Sequence, residues 1–109
     1  MLLTHAMLAL LLLAAAPAPL TTVAEQSGYT RTGRYDEVET LCAELPKRHP
    51  GKLKCEAFGT SPLGRKLLAF IASTDGVLTA EAAKKKNRPV VLLQGGIHAG
   101  EIDGKDAGF

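Results

Sequence analysis

Val90-Val91-Leu92-Leu93-Gln94-Gly95-Gly96-Ile97-His98-Ala99-Gly100-Glu101 is the stretch from which the fold class follows. Its first four residues are a continuous apolar run, bounded by Asn87-Arg88-Pro89 on one side and by paired glycines on the other. A strand with one wet face alternates apolar and polar residues. An unbroken run of this length instead reads as a central strand covered on both faces, although periodicity alone does not separate it from a buried helix segment. The residues after it then fall at the carboxyl end of a strand, where the loops of α/β sheets bind ligands.

Working outward, the residues before the run supply the elements such a sheet needs. From Arg34 onward, Tyr35, Val38, Leu41, Cys42 and Leu45 recur at helical spacing, with acids early and bases late, an order that complements the helix dipole. Gly33 or Thr32 is the candidate N-cap, and His49-Pro50-Gly51 ends the helix. Lys52 to Phe58 alternates as a half-buried strand, Gly59 to Gly64 carries turn chemistry, and Lys66 to Ser73 is a second, more apolar strand, so the two are expected to pair as a hairpin. Thr79 to Lys86 reads as a short exposed helix, and Ile102 to Phe109 begins another. There is no internal repeat and no low-complexity segment.

The chain has 109 residues, 46% of them hydrophobic and 22% charged, which fits one globular domain or part of one. Much of the apolar content lies at the start, where Leu8 to Ala16 suits the h-region of a signal peptide and is too short to span a bilayer. Cleavage is expected after Ala24, which divides the chain into a signal peptide, residues 1–24, and a mature part, residues 25–109. The absence of Lys and Arg before the apolar run keeps an uncleaved anchor or a buried N-terminal helix as the rival reading. The formal net charge of +2 leaves no concentrated basic face, so neither nucleic acid nor, after signal cleavage, a stable membrane partner is expected. The Lys84-Lys85-Lys86 and Arg88 cluster reads as solvated. Cys42 and Cys55 are the only cysteines, and an even pair behind an export signal points to a disulfide, against the alternative of two buried thiols.

His98 and Glu101 stand three residues apart in the loop after the apolar run. One turn of helix would turn both side chains the same way, presenting an imidazole nitrogen and a carboxylate oxygen, both donors that Zn²⁺ accepts. The spacing alone is weak, since H-x-x-E arises by chance in roughly one such chain in five at average composition. Two readings therefore stand on the residues: a pair of metal ligands, or a histidine hydrogen-bonded to a nearby glutamate with no metal. Other site motifs fail. A phosphate-binding loop at Gly104-Lys105 would need glycine at 99 and a hydroxyl residue at 106, where Ala99 and Asp106 stand. An EF-hand from Asp103 meets Lys105 at a ligand position, and no serine has the G-x-S-x-G setting.

Taken together, Gly95-Gly96-Ile97-His98-Ala99-Gly100-Glu101, the apolar strand before it, the Gly59-x-Ser61-x-x-Gly64-Arg65 hairpin and the Tyr35-Asp36-Glu37 helix opening resemble the start of the zinc carboxypeptidases. The resemblance runs from about Tyr29 to Phe109. It implies an α/β fold, the N-terminal fragment of a mixed-sheet α/β/α domain, with His98 and Glu101 as two of three ligands to Zn²⁺. It also implies a peptide substrate cleaved at its C-terminal bond by a zinc-activated water. The third ligand, the general base and the substrate arginines are expected beyond Phe109, so the chain by itself is expected to be inactive. Gly100 departs from the arginine that many digestive members carry before the ligand glutamate. Asp103, Lys105 and Asp106 either replace that contact or start a solvated helix, the reading favoured here. A related zinc amidohydrolase acting on acylated amino acids, and a non-catalytic exported fragment, are the alternatives.

Overall fold

The computed structural model describes residues 18–109, and the apolar run Leu8 to Ala16 lies outside them. Among the described residues, four helices and one hairpin make a small mixed α/β unit: α1 (Val23–Gln26), α2 (Tyr35–Arg48), β1 (Leu53–Thr60), β2 (Lys66–Ala72), α3 (Ala80–Lys85) and α4 (Ile102–Gly108). Among the described residues no helix is long and apolar enough to cross a membrane.

The helix read from the apolar spacing is α2, which keeps Asp36 and Glu37 in its first turn and Lys47 and Arg48 in its last. Its N-cap is Arg34, with no side-chain cap bond, so neither Gly33 nor Thr32 plays that part. The end is where the sequence puts it: the His49 amide donates to the Leu45 carbonyl before Pro50. Leu41 is the one buried residue of α2, at 3% exposure.

β1 and β2 pair antiparallel from Leu53 opposite Ala72 to Thr60 opposite Lys66, with an irregularity between Ala57 and Gly59 that leaves Phe58 exposed. The turn closes through Ser61, whose amide donates to the Arg65 carbonyl at 2.7 Å and whose hydroxyl accepts the Arg65 amide at 3.1 Å. Tyr35 ties α2 to this turn, donating its hydroxyl to the Lys66 carbonyl at 2.7 Å while the Arg65 guanidinium lies 5.4 Å from its ring centre. Cys42 and Cys55 are joined by a disulfide, Cα to Cα 5.4 Å, which fastens the middle of α2 to β1.

α3 is capped by the Thr79 hydroxyl, which accepts the Ala82 amide, and it buries Ala83. The expectation of a short exposed helix holds except on the side that carries Ala83. Of the basic cluster at its end, Arg88 is not merely solvated: it pairs with Asp75 at 2.8 Å and ties the exit of α3 to the turn after β2. Among the described residues the buried apolar core is only Ala24, Leu41 and Ala83, with no large side chain fully enclosed. So thin a core gives weight to a covalent staple such as the disulfide.

One expectation is overturned. Val90-Leu93 is not a strand here: its residues are 76% to 90% exposed, and among the described residues no backbone ladder reaches them. A central strand needs a neighbour on each edge and a layer on each face. The described residues form a single sheet, and its two strands pair with one another.

Candidate metal centre

His98 and Glu101 come together in the bend between the apolar run and α4. The Glu101 amide donates to the His98 carbonyl at 3.2 Å, closing a turn that brings residue 101 back beside residue 98. His98 Nδ1 then lies 2.7 Å from Glu101 Oε1, and the His98 amide donates to Oε2 at 3.1 Å. Glu101 is the N-cap residue of α4, yet its side chain makes no cap bond, because both carboxylate oxygens are engaged by His98. The His98 amide, then the His98 ring and the Ile97 amide, hold the Glu101 carboxyl below its ordinary carboxylate range.

Gly100 permits this bend. Its φ of 97° lies where side-chain-bearing residues rarely go, and a Cβ there would meet nothing, so the requirement is conformational and not one of space. An arginine at this position would have to leave that conformation.

The pair is open to water, with the His98 side chain 78% exposed and that of Glu101 49% exposed. An imidazole nitrogen and a carboxylate oxygen are both zinc donors, and they face each other. Two donors at about 2.0–2.2 Å from one tetrahedral zinc stand roughly 3.4 Å apart, so the present 2.7 Å contact would open by about 0.7 Å. That is a small rotamer adjustment for exposed side chains. What the pair lacks is company: among the described residues no group of three His, Cys, Asp or Glu gathers to hold a metal. As it stands, the arrangement satisfies the hydrogen-bonded reading as well as half of a metal site.

The helix after Glu101 departs from a solvated start. Asp103 is exposed, but Lys105 and Asp106 are half-buried, and Lys105 reaches α2. Lys105 Nζ lies 2.6 Å from Glu37 Oε2 and also 2.6 Å from Asp106 Oδ1, the latter without the alignment of a hydrogen bond. Partial burial disfavours the Lys105 ammonium, but contact with Asp106 and Glu37 outweighs it and raises its pKa. Lys105 and then the Thr32 hydroxyl lower that of Asp106. Sequence reasoning missed Glu37 altogether as anything but a first-turn acid, and its partner lies 68 residues away.

A sequence model of the zinc carboxypeptidase family matches residues 38–109, more than half of the chain, a span that contains the hairpin and both His98 and Glu101. No curated protein and no solved structure matches the chain.

Proposed function

The chain belongs to the zinc carboxypeptidase family, and from that premise we propose that His98 and Glu101 are two ligands of a catalytic Zn²⁺ that serves hydrolysis of C-terminal peptide bonds. The observation that carries the reading is the convergence of His98 Nδ1 and Glu101 Oε1 within the matched span. Bound there, zinc would supply an acidified water and a polarised carbonyl. The chain's own part is to hold the two donors on one side of a glycine bend and leave them reachable from solvent. Gly100 carries no side chain to reach toward substrate from that position, so recognition of the substrate carboxylate falls to other residues.

Two ligands by themselves make at most a weak metal site. The 109 residues are expected to bind Co²⁺ or Zn²⁺ measurably and to release no C-terminal amino acid from a peptide. Equilibrium dialysis should show bound metal that His98→Ala and Glu101→Ala each remove. Metal retained by both variants would end the reading, and turnover by these residues alone would reveal a third ligand and base that the family relationship does not lead one to expect here.

Export belongs to the same reading. It is supported by the apolar run Leu8 to Ala16 and by the Cys42–Cys55 bridge, since disulfides persist in oxidising compartments. Sequencing the N-terminus of secreted protein checks it: a start at Glu25 is expected, and a start at Met1 refutes it.

A further inference from the structure

His98 and Glu101 are exposed, so the side chains around them do not fix their geometry. It must come from the backbone that carries them, and on the Glu101 side that backbone is α4. This helix is a poor one by itself. It has seven residues, two of them glycine, and each glycine costs about 1 kcal/mol against alanine inside a helix. Short isolated helices do not persist in water, so α4 stands where tertiary contacts hold it.

Two of those contacts lie one turn beyond Glu101. At Gly104 the helix backbone meets the Gly95-Gly96 backbone so closely that a Cβ on residue 104 would fall 2.8 Å from the Gly95 carbonyl carbon and closer still to the Gly96 nitrogen. The next residue, Lys105, reaches Glu37 on α2 at 2.6 Å, an ion pair whose side chains are only 22% and 11% exposed. Glu37 is itself anchored, since its Oε1 accepts the Val23 amide at 2.6 Å. At Gly33, a Cβ would fall within the space its carboxylate occupies. The first contact sets how near α4 comes to the residues that lead into His98. The second sets its position against α2.

We propose that Gly104 and Lys105 are positioning residues for the His98–Glu101 pair: the glycine lets α4 seat on Gly95-Gly96, the Lys105–Glu37 ion pair locks it there, and together they hold Glu101 opposite His98. This rests on the reading of the pair as metal ligands, and the test separates the two. Co²⁺ affinity is measured by its visible absorption for the full chain and for Gly104→Ala, Lys105→Met and Lys105→Arg. The ¹⁵N shifts of the His98 ring and amide exchange across 96–108 are measured on the same proteins without metal. Gly104→Ala and Lys105→Met should weaken Co²⁺ binding roughly tenfold, the scale expected for residues that orient a ligand. Both should move the His98 ring shifts, and Lys105→Arg should restore both readouts.

Unchanged affinity and unchanged His98 shifts in Lys105→Met, with faster exchange in α4, would make the ion pair structural only and overturn the inference. Should Gly104→Ala fail to fold, the Lys105→Met and Lys105→Arg pair decides. If the unaltered chain binds no Co²⁺, the metal reading falls by itself. The positioning inference is then decided by the metal-free His98 shifts, which must move in Lys105→Met and return in Lys105→Arg.

Discussion

Two apolar runs of similar composition meet opposite fates in this chain. Leu67 to Ile71 lies in β2 and is laddered to β1, whereas Val90 to Leu93 stands exposed and unladdered. Hydrophobicity does not separate them. The difference is the distance to a partner: the Ser61–Arg65 turn delivers β1 to β2 within a few residues, while the second run has no strand beside it among the described residues. A strand is a relation between segments, and an apolar run supplies only one side of it.

The comparison can be pressed hardest through the disulfide, which supports the laddered region alone. Replacing Cys42 and Cys55 with serine should cost roughly 3 kcal/mol on the loop-closure account, read as a lower midpoint in urea unfolding. Loss of protection is expected first in α2. A midpoint within error of the unaltered chain would mean that the hairpin and α2 hold together without their cross-link. Leu41→Ala comes next, at about 2 kcal/mol, the low end for a buried leucine because the surrounding core is thin.

A matched pair of charges addresses the two runs directly. Leu68→Lys, half-buried on β2, should destabilise by about 1 kcal/mol or more, while Leu92→Lys, 84% exposed, should stay within about 0.5 kcal/mol and raise solubility. Equal losses at both sites would mean that the second run is packed in solution. The smallest effect concerns pH. The Ser73 hydroxyl and then Arg88 hold Asp75 below its ordinary 3.8. A depressed carboxyl contributes stability that is present above its unfolded value and lost as pH falls through the folded one. Asp75→Asn should therefore lower the melting temperature slightly at neutral and alkaline pH and flatten its fall below pH 4, so that variant and unaltered chain converge in acid.

Where a partner is local, the elements were legible. α2 could be read from Tyr35, Val38, Leu41 and Leu45, and the hairpin from the alternation after Lys52 and the glycine-rich turn. The start of α2 was misplaced only in its cap, since Arg34 offers no side-chain acceptor to announce itself. α1 is only four residues long and carries no apolar periodicity; the one sign of it in the sequence is the Thr22 and Glu25 spacing, which forms a capping box. Val90-Leu93 misled because its burial depends on neighbours that its own residues do not encode. The His98 and Glu101 spacing marked two side chains that the structure brings together. The brace behind them was not readable, because nothing in a sequence ties Glu37 to Lys105 or shows that Gly104 faces Gly95 across a gap too narrow for a methyl group.

Glu37 is a shared hinge pin, with one oxygen holding the amide of Val23 and the other the ammonium of Lys105. If export proceeds by cutting after Ala24, the departing leader takes the Val23 amide with it, and Lys105 becomes the sole remaining donor among those described. Maturation would then recast a three-way joint as a two-way clasp, so that removal of the leader is felt at the helix that carries Glu101. Amide exchange in α4, compared between chains starting at Met1 and at Glu25, would register the change, and identical exchange would show that the joint ignores the cut.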